Sequence, residues 1–569
     1  MEKKELTMEV RLLIAFVLVG LILFLTPYFY KQPPAPPEAK VTPPAAVQKP
    51  NAIPIPPPAA PAASKTPPAE IPGAIEAPEE QTFAIDTDYY HVEFNNRGAV
   101  IHRWQLKKFR NHDFGSKVPV PVDLVDAAAL SKVPDPFSIA FKSDQHPSTD
   151  PNTRLFQIQR PDDYSVIFEF SDGRMDVKKS FKFQKDSYLV AVDSTVTENG
   201  MPVPHSLSWR GGFGDETENN AVNNQHALYY DTTDSKLNTK QVKEAKNGPV
   251  SWAGQFSFAG LEDHYFAAVF MPQGRSLVEL TEFSDNLPDA TGKDQARIGA
   301  AVGGEGSNSF TLFAGPKDYN LLGKIDPKLE ALIDWKYVGI NLVYIGKPLF
   351  VMLRWTADHV IHNYGWAIVL DTIAITMVLF PLRLSQLRSS RKMQTIQPLI
   401  KQLNEKYKSL PLKDPRQAEK NQEMMDLYKK HGINPLGGCL PMLIQLPILV
   451  AYYKVLAVMI ELRGADWLWV HDLSQPETLP IRVLPVVLII TQYLQSKMTP
   501  QPGVDPSQQK MMMLLMPLMM GYIFYFLSSG LVLYYLTSNL VGIAQQVILN
   551  RATPAPAPVE VKPAPKKKK

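Results

Sequence analysis

The chain has 569 residues, too many for one ordinary domain, and a formal net charge of +3, which singles out no class of partner. Its single cysteine, Cys439, excludes an intrachain disulfide. Mean hydropathy is near neutral, but that average hides a polar half up to about Lys336 and an apolar half from Leu342 to Asn550.

Leu12 to Tyr30 is apolar and uncharged, long enough at ~1.5 Å per residue to cross a hydrocarbon core of about 30 Å. No small-residue cleavage site follows it, so residues 1–31 read as an uncleaved signal anchor. Residues 32–80 are rich in Pro and Ala and form a semi-rigid spacer.

Residues 81–322 read as an all-β sandwich. Tyr90, Val92 and Phe94 alternate with polar neighbours, and Asn95-Asn96-Arg97-Gly98 supplies turn chemistry. Tyr164–Phe170, Ser180–Phe183, Tyr188–Val196 and His264–Met271 are further strand-like runs. Asp215 and Glu216, in a Gly-rich stretch, form a possible acid pair, with a solvated loop as the favoured reading.

Residues 323–362 connect the halves. Leu349, Met352, Leu353 and Val360 fall roughly on one helical face, with Pro348 at a first helical position, which predicts an amphipathic helix on the outer membrane surface. Five further spans follow within residues 363–549, near Asn363–Leu382, Leu436–Ile460, Leu479–Lys497, Lys510–Leu527 and Gly530–Ile548. Between the first two of these, residues 383–434 carry twelve Lys/Arg against five Asp/Glu, a net of +7 that places the loop in the cytoplasm. Both termini then lie inside and the β domain outside.

That loop reads as a helical hairpin. Met393, Ile396, Ile400, Leu403 and Tyr407 recur at coiled-coil-like spacing, Pro398 is expected to kink the first helix, and Asp414-Pro415 starts the second. The basic tail, residues 550–569, suits either ribosomal RNA or anionic lipid headgroups.

Asn434-Pro435-Leu436-Gly437-Gly438-Cys439, Pro441 to Ile448, Trp469-Val470-His471-Asp472-Leu473-Ser474, Asp505 to Met511 and Ser529 to Asn539 stand in order at family-like spacing. In these segments the chain resembles the YidC insertase family, in the Gram-negative branch whose members carry a periplasmic β-supersandwich. The resemblance implies a multi-domain helical membrane protein of the inner membrane with six transmembrane helices. Five of them form an insertase core around a polar groove open to cytoplasm and lipid. It further implies nascent membrane proteins as clients, ribosome, Sec translocon and anionic lipids as partners, no DNA, no cofactor and no nucleotide hydrolysis. No GxxxxGK[ST] loop is present. A secondary transporter or channel is the alternative, opposed by the lack of a visible repeat of spans.

Many family members place an arginine in the second span, five residues before a Pro-Leu pair; aligned on Pro381-Leu382, the position here is Thr376. Thr372, Thr376 and Arg383 share a helical face by their spacing, so Arg383 can lend charge from the cytoplasmic mouth, with a positive-inside anchor as the favoured reading. Asp371, the only ionisable group in its span, faces a wet interior or a partner, with Arg482 the candidate. Gln445 and Asn539 complete the expected groove, and Leu443, Leu446 and Met516 the surface along which a client slides.

Overall fold

The computed structural model describes residues 73–111, 120–142, 145, 147–218, 221–274, 277–288, 292–304, 306–337, 340–407, 414–432, 440–498 and 506–552. The expected signal anchor, most of the spacer, Cys439, Asp505 and nearly all of the basic tail lie outside them.

The polar half is mostly β-sandwich. Alternation of apolar and polar residues creates it. In Met175–Phe183 every second residue, from Met175 to Phe183, is buried and the others face outward or partly outward. A ten-stranded antiparallel sheet runs from Lys236–Lys240 through His226–Asp231, Phe256–Glu262, Phe266–Pro272, Asn308–Pro316, Leu189–Glu198, Met175–Phe183 and Ser165–Ser171 to Gln157–Asp162, with the short strand Met201–Pro202 paired off this path to Leu189–Glu198. A five-stranded sheet is ordered Val250–Gly254, Val278–Pro288, Asp294–Gly304, His205–Trp209, Ser138–Ala140. A four-stranded sheet begins at Thr82–Asp86. Trp104, Phe137, Phe181, Phe94 and Phe168 lie in one ring cluster, with centroids 5.1–6.2 Å apart in the pairs Trp104–Phe137, Phe137–Phe181, Phe94–Phe181 and Phe168–Phe181. Full burial of each such ring is worth roughly 1.5–3 kcal/mol.

One inward position of Met175–Phe183 holds a charge. Lys179 is buried, and its Nζ donates to the carbonyl oxygens of Gly98 (2.7 Å), Ala99 (3.2 Å) and Phe137 (2.7 Å). Ala99 and Phe137 both adopt positive φ, 50° and 69°, so the ammonium binds two turns whose backbone is itself strained. Burial pushes the ammonium down to about 7; the three carbonyl acceptors, each suited to one N–H, favour the protonated form.

Asp215 and Glu216 do not form a solvated loop. Positive φ at Gly211, Gly212 and Gly214 folds the stretch inward. Glu216 pairs with Arg297 and accepts from Gln225 Nε2 at 2.7 Å. Asp215 pairs with Arg463, a residue of the apolar half.

The connector begins with α1 (Tyr319–Ile325), capped by Asp318, whose side chain accepts from Leu321 N at 2.9 Å. Helix α2 (Val343–Thr356) starts a turn earlier than the sequence suggests, because Asn341 Oδ1 accepts from Val343 N at 3.0 Å; Pro348 therefore lies inside the helix. A π-turn, Ala357–Ile361, follows and ends at His362 in the left-handed region (φ 55°).

Helices α3 (Tyr364–Val378) and α4 (Phe380–Thr395) run almost end to end. Pro398 does not kink a continuous helix: α4 stops at Thr395 and α5 (Gln397–Lys406) begins with the proline in its first turn, where a missing N–H costs nothing. Helix α6 (Arg416–Lys430) follows, with Asp414 Oδ1 accepting from Arg416 N at 2.9 Å. Met393, Ile396, Ile400 and Met424 form the hairpin's own small core. The remaining helices are α7 (Leu440–Val458), α8 (Val483–Met498), α9 (Pro506–Phe524) and α10 (Ser529–Ala552). Pro447 and Pro517 lie inside α7 and α9.

Candidate functional site: a polar seam among apolar-surfaced helices

Among the described residues α10 is the one helix long and apolar enough to cross a membrane; four shorter apolar helices stand with it. Their outward faces are oily. Val378, Ile490, Leu494, Leu514, Leu515, Leu518, Tyr522 and Ile548 are all exposed. So many exposed large apolar side chains suit contact with lipid.

The inward faces carry the opposite chemistry. Helix α10 packs against α3 and α8 and buries Thr537, Ser538, Asn539, Gln545 and Gln546. Asp371, Thr372 and Thr376 are buried on α3, and Thr491 on α8. Asn539 Nδ2 donates to Gln492 Oε1 at 3.2 Å, tying α10 to α8. The Thr372 and Thr376 hydroxyls each turn back to their own helix, donating at 2.6 Å to the carbonyls of Ile368 and Thr372. Thr372 is fully enclosed and Thr376 is 8% exposed.

Arg383, on α4, lies against α10 at Gly542. A Cβ built there would collide with Arg383 Nη2, so only glycine admits the guanidinium so close to the helix backbone. Among the described residues the Arg383 guanidinium has no hydrogen bond or ion pair. Nearer the end of α10, Arg391 Nη2 and Gln546 Nε2 both donate to Asn550 Oδ1, at 2.6 Å and 3.1 Å. Gln545 Nε2 approaches Met377 Sδ at 4.0 Å, while its Oε1 has no partner among the described residues.

Asp371 is not paired with Arg482. It is 3% exposed and its Oδ1 accepts from Thr356 Oγ1 of α2 at 2.8 Å. Arg482 instead donates to the carbonyl oxygen of Tyr525, just beyond α9, and lies over the Tyr525 ring at 4.7 Å. A helix C-terminus presents unpaired carbonyls and a partial negative charge, which attract the cation. Asp371 Oδ2 and the buried Tyr452 hydroxyl are both unpartnered among the described residues.

Leu446 is exposed on α7 and Met516 half-buried on α9. The Leu443 and Gln445 side chains lie outside the described residues. Thr356, Tyr452 and Gly542 had no place in the sequence reading. Of these only Gly542 carries a signal, a mid-helix glycine that costs about 1 kcal/mol relative to alanine and so marks a close approach.

On α2, Arg354 pairs with Glu461 (2.8 Å) and with the α1 cap Asp318 (3.4 Å). Burial, with Asp318 nearby, pushes the Glu461 carboxyl up to about 7.

Two family models match the chain: the 60Kd inner membrane protein over residues 355–556 and the YidC periplasmic domain over residues 82–352. The membrane protein insertase YidC of Bordetella parapertussis is 33% identical over 501 residues, covering 84% of each chain. That of Cupriavidus necator is 31% identical over 494 residues, again covering 84% of each. A crystal structure described as an active YidC insertase with the first transmembrane domain resolved aligns at 19% identity and a TM-score of 0.34, over 84% of this chain and 93% of that one. This chain belongs to the YidC family of membrane protein insertases, proteins of the inner membrane with a periplasmic domain.

Proposed function

We propose that the seam around α10 is the path by which a nascent membrane protein enters the bilayer. The observation that carries this reading is the coexistence of an oily exterior with a buried line of amides and hydroxyls, Asn539, Gln545 and Thr376 among them, beside the partly buried Arg383, which has no counter-charge among the described residues. A client's hydrophilic segment costs several kcal/mol for each polar group left bare in hydrocarbon. Polar side chains along a helix face lower that cost, and the client's apolar segment then moves along Leu446 and Met516 into lipid. Its burial supplies about 25 cal/mol per Å². No nucleotide is consumed in this scheme.

The same reading gives six transmembrane spans, with residues 12–30 as the first. It places both termini and the α5–α6 hairpin in the cytoplasm and the β domain in the periplasm. The net charge of +7 between Arg383 and Asn434 supports that orientation. Helix α2, with Tyr344, Val351 and Trp355 exposed along it, lies on the outer membrane surface. The ribosome and the Sec translocon are the expected partners on the inner side and within the membrane, with anionic lipid around the hairpin and tail.

The test is site-directed photo-crosslinking from Thr376, Asn539 and Met516 to a ribosome-stalled membrane protein. Adducts from the two seam positions and from Met516 are expected. A chain that inserts its client while none of the three sites crosslinks leaves the seam without a role.

A further inference from the structure

The outer β domain and the helices meet at the outer end of α7, and the contact is built unusually. The segment from Lys454 to Arg463 reaches the polar half in four ways. Lys454 Nζ bonds Asp334 Oδ2 at 3.1 Å, and that aspartate is largely exposed. The Ala457 carbonyl faces His264 Nε2 at 2.8 Å. Arg463 Nη2 donates to the Arg110 carbonyl at 3.0 Å and to Asp215 Oδ2.

The last pair is the centre of the contact. Both side chains are 3% exposed, and the guanidinium lies 5.6 Å and 5.4 Å from the ring centroids of Tyr265 and Phe266. Asp215 is well served: Oδ1 accepts from Thr217 N at 2.9 Å and from the Thr217 hydroxyl at 2.6 Å. Arg463 is not, since its Nε and Nη1 are buried without a partner among the described residues. A guanidinium has five N–H donors and loses water on all of them when buried. For an ion pair buried with part of its donors idle the cost in hydration can exceed the Coulombic gain, and replacement by apolar residues of the same volume is often neutral or stabilising.

We propose that Arg463 and Asp215 form a releasable latch. Docked, they fix the outer end of α7; lifted, both ions regain water and α7 is free to shift. The shift has a short route to the seam, an extension that rests on the reading above. Tyr452, on α7 and fully buried, packs its ring 4.5 Å from that of Tyr534 on α10, the helix that carries Asn539 and Gly542. The outer domain thereby acts on the path of the client without touching it, by holding or releasing one helix end.

The test separates docking from insertion. Full-length chain with Cys439→Ser is reconstituted in nanodiscs and spin-labelled at Lys236 and Leu479, both exposed. Pulsed dipolar spectroscopy then gives the distance distribution, and insertion of a small test membrane protein is followed in parallel. The parent should show a docked and a lifted population. Arg463→Ala should enlarge the lifted one. The apolar pair Arg463→Met with Asp215→Leu should move the ratio about tenfold or more toward docked and slow insertion, although the protein melts no lower. A single narrow distance shared by parent and Arg463→Ala overturns the latch. An apolar pair that is more docked but inserts at the parental rate overturns the coupling to the seam while leaving the seam reading to its own crosslinking test.

Discussion

The Thr356 hydroxyl donates to the Asp371 carboxylate across 2.8 Å, fastening α2 to α3 through a buried group whose second oxygen has no partner among the described residues. Thr356→Val removes the one donor Asp371 Oδ1 is seen to use and should destabilise the protein by about 1–3 kcal/mol. Adding Asp371→Leu removes the stranded acceptor too, so the double variant should be more stable than the sum of the two changes implies. Thermal unfolding of the detergent-solubilised chain measures both; strict additivity would mean the contact is inert.

Lys179 supports a prediction inside the β domain. Lys179→Met keeps much of the volume but leaves three buried carbonyls, those of Gly98, Ala99 and Phe137, without their donor. A loss of at least about 3 kcal/mol is expected, with hydrogen exchange rising first in the two turns it holds. Protection unchanged at Val100 and Ser138 would show that the ammonium is dispensable.

Glu282 supports a pH prediction. It is fully buried at an inward position of Val278–Pro288, neither carboxylate oxygen has a partner among the described residues, and burial pushes the carboxyl up to about 7 from an ordinary 4.5. Between these values the folded form holds a proton that the unfolded chain releases. Its contribution is therefore complete below about pH 4.5 and fades as pH rises through 7. Glu282→Gln should flatten this part of the stability profile and raise stability at pH 8 by about 2 kcal/mol. An unchanged slope in denaturant titrations from pH 5 to 8 would exclude the assignment.

Gly542 and Arg383 test the seam. Gly542→Val places carbon where Arg383 Nη2 lies and must displace the guanidinium. Insertion of a client with an acidic leading segment should fall several-fold in Gly542→Val and in Arg383→Gln, and less for a client with a neutral one, because the attraction is Coulombic. Equal losses for both clients would point to helix packing instead.

Periodicity made much of this legible. Met393, Ile396 and Ile400 lie in the hairpin core with Leu403 packed against it, Tyr407 instead bonds Glu423 through its hydroxyl, and the period-2 run of Tyr90, Val92 and Phe94 is a buried strand. The charges were harder to read. Asp215 looks like a loop residue because its partner, Arg463, is 248 positions away, and no local pattern encodes such a distance. Asp371 was recognisable as a group that needs a partner, but sequence does not choose between Thr356 and Arg482; the free carbonyl of Tyr525 drew Arg482 elsewhere. The sequence alone does not say that Gly542 clears room for Arg383.

His362 is the single residue between the π-turn and the cap of α3, and it sits at φ 55° in a region that costs an L-residue about 1–2 kcal/mol. Asn363 then anchors the start of α3, accepting from Trp366 N and donating to the Asp466 carbonyl. A corner made of one strained residue behaves like a knuckle, not a cord. Rocking of α2 is passed straight to the direction in which α3 sets off, with no slack to absorb it.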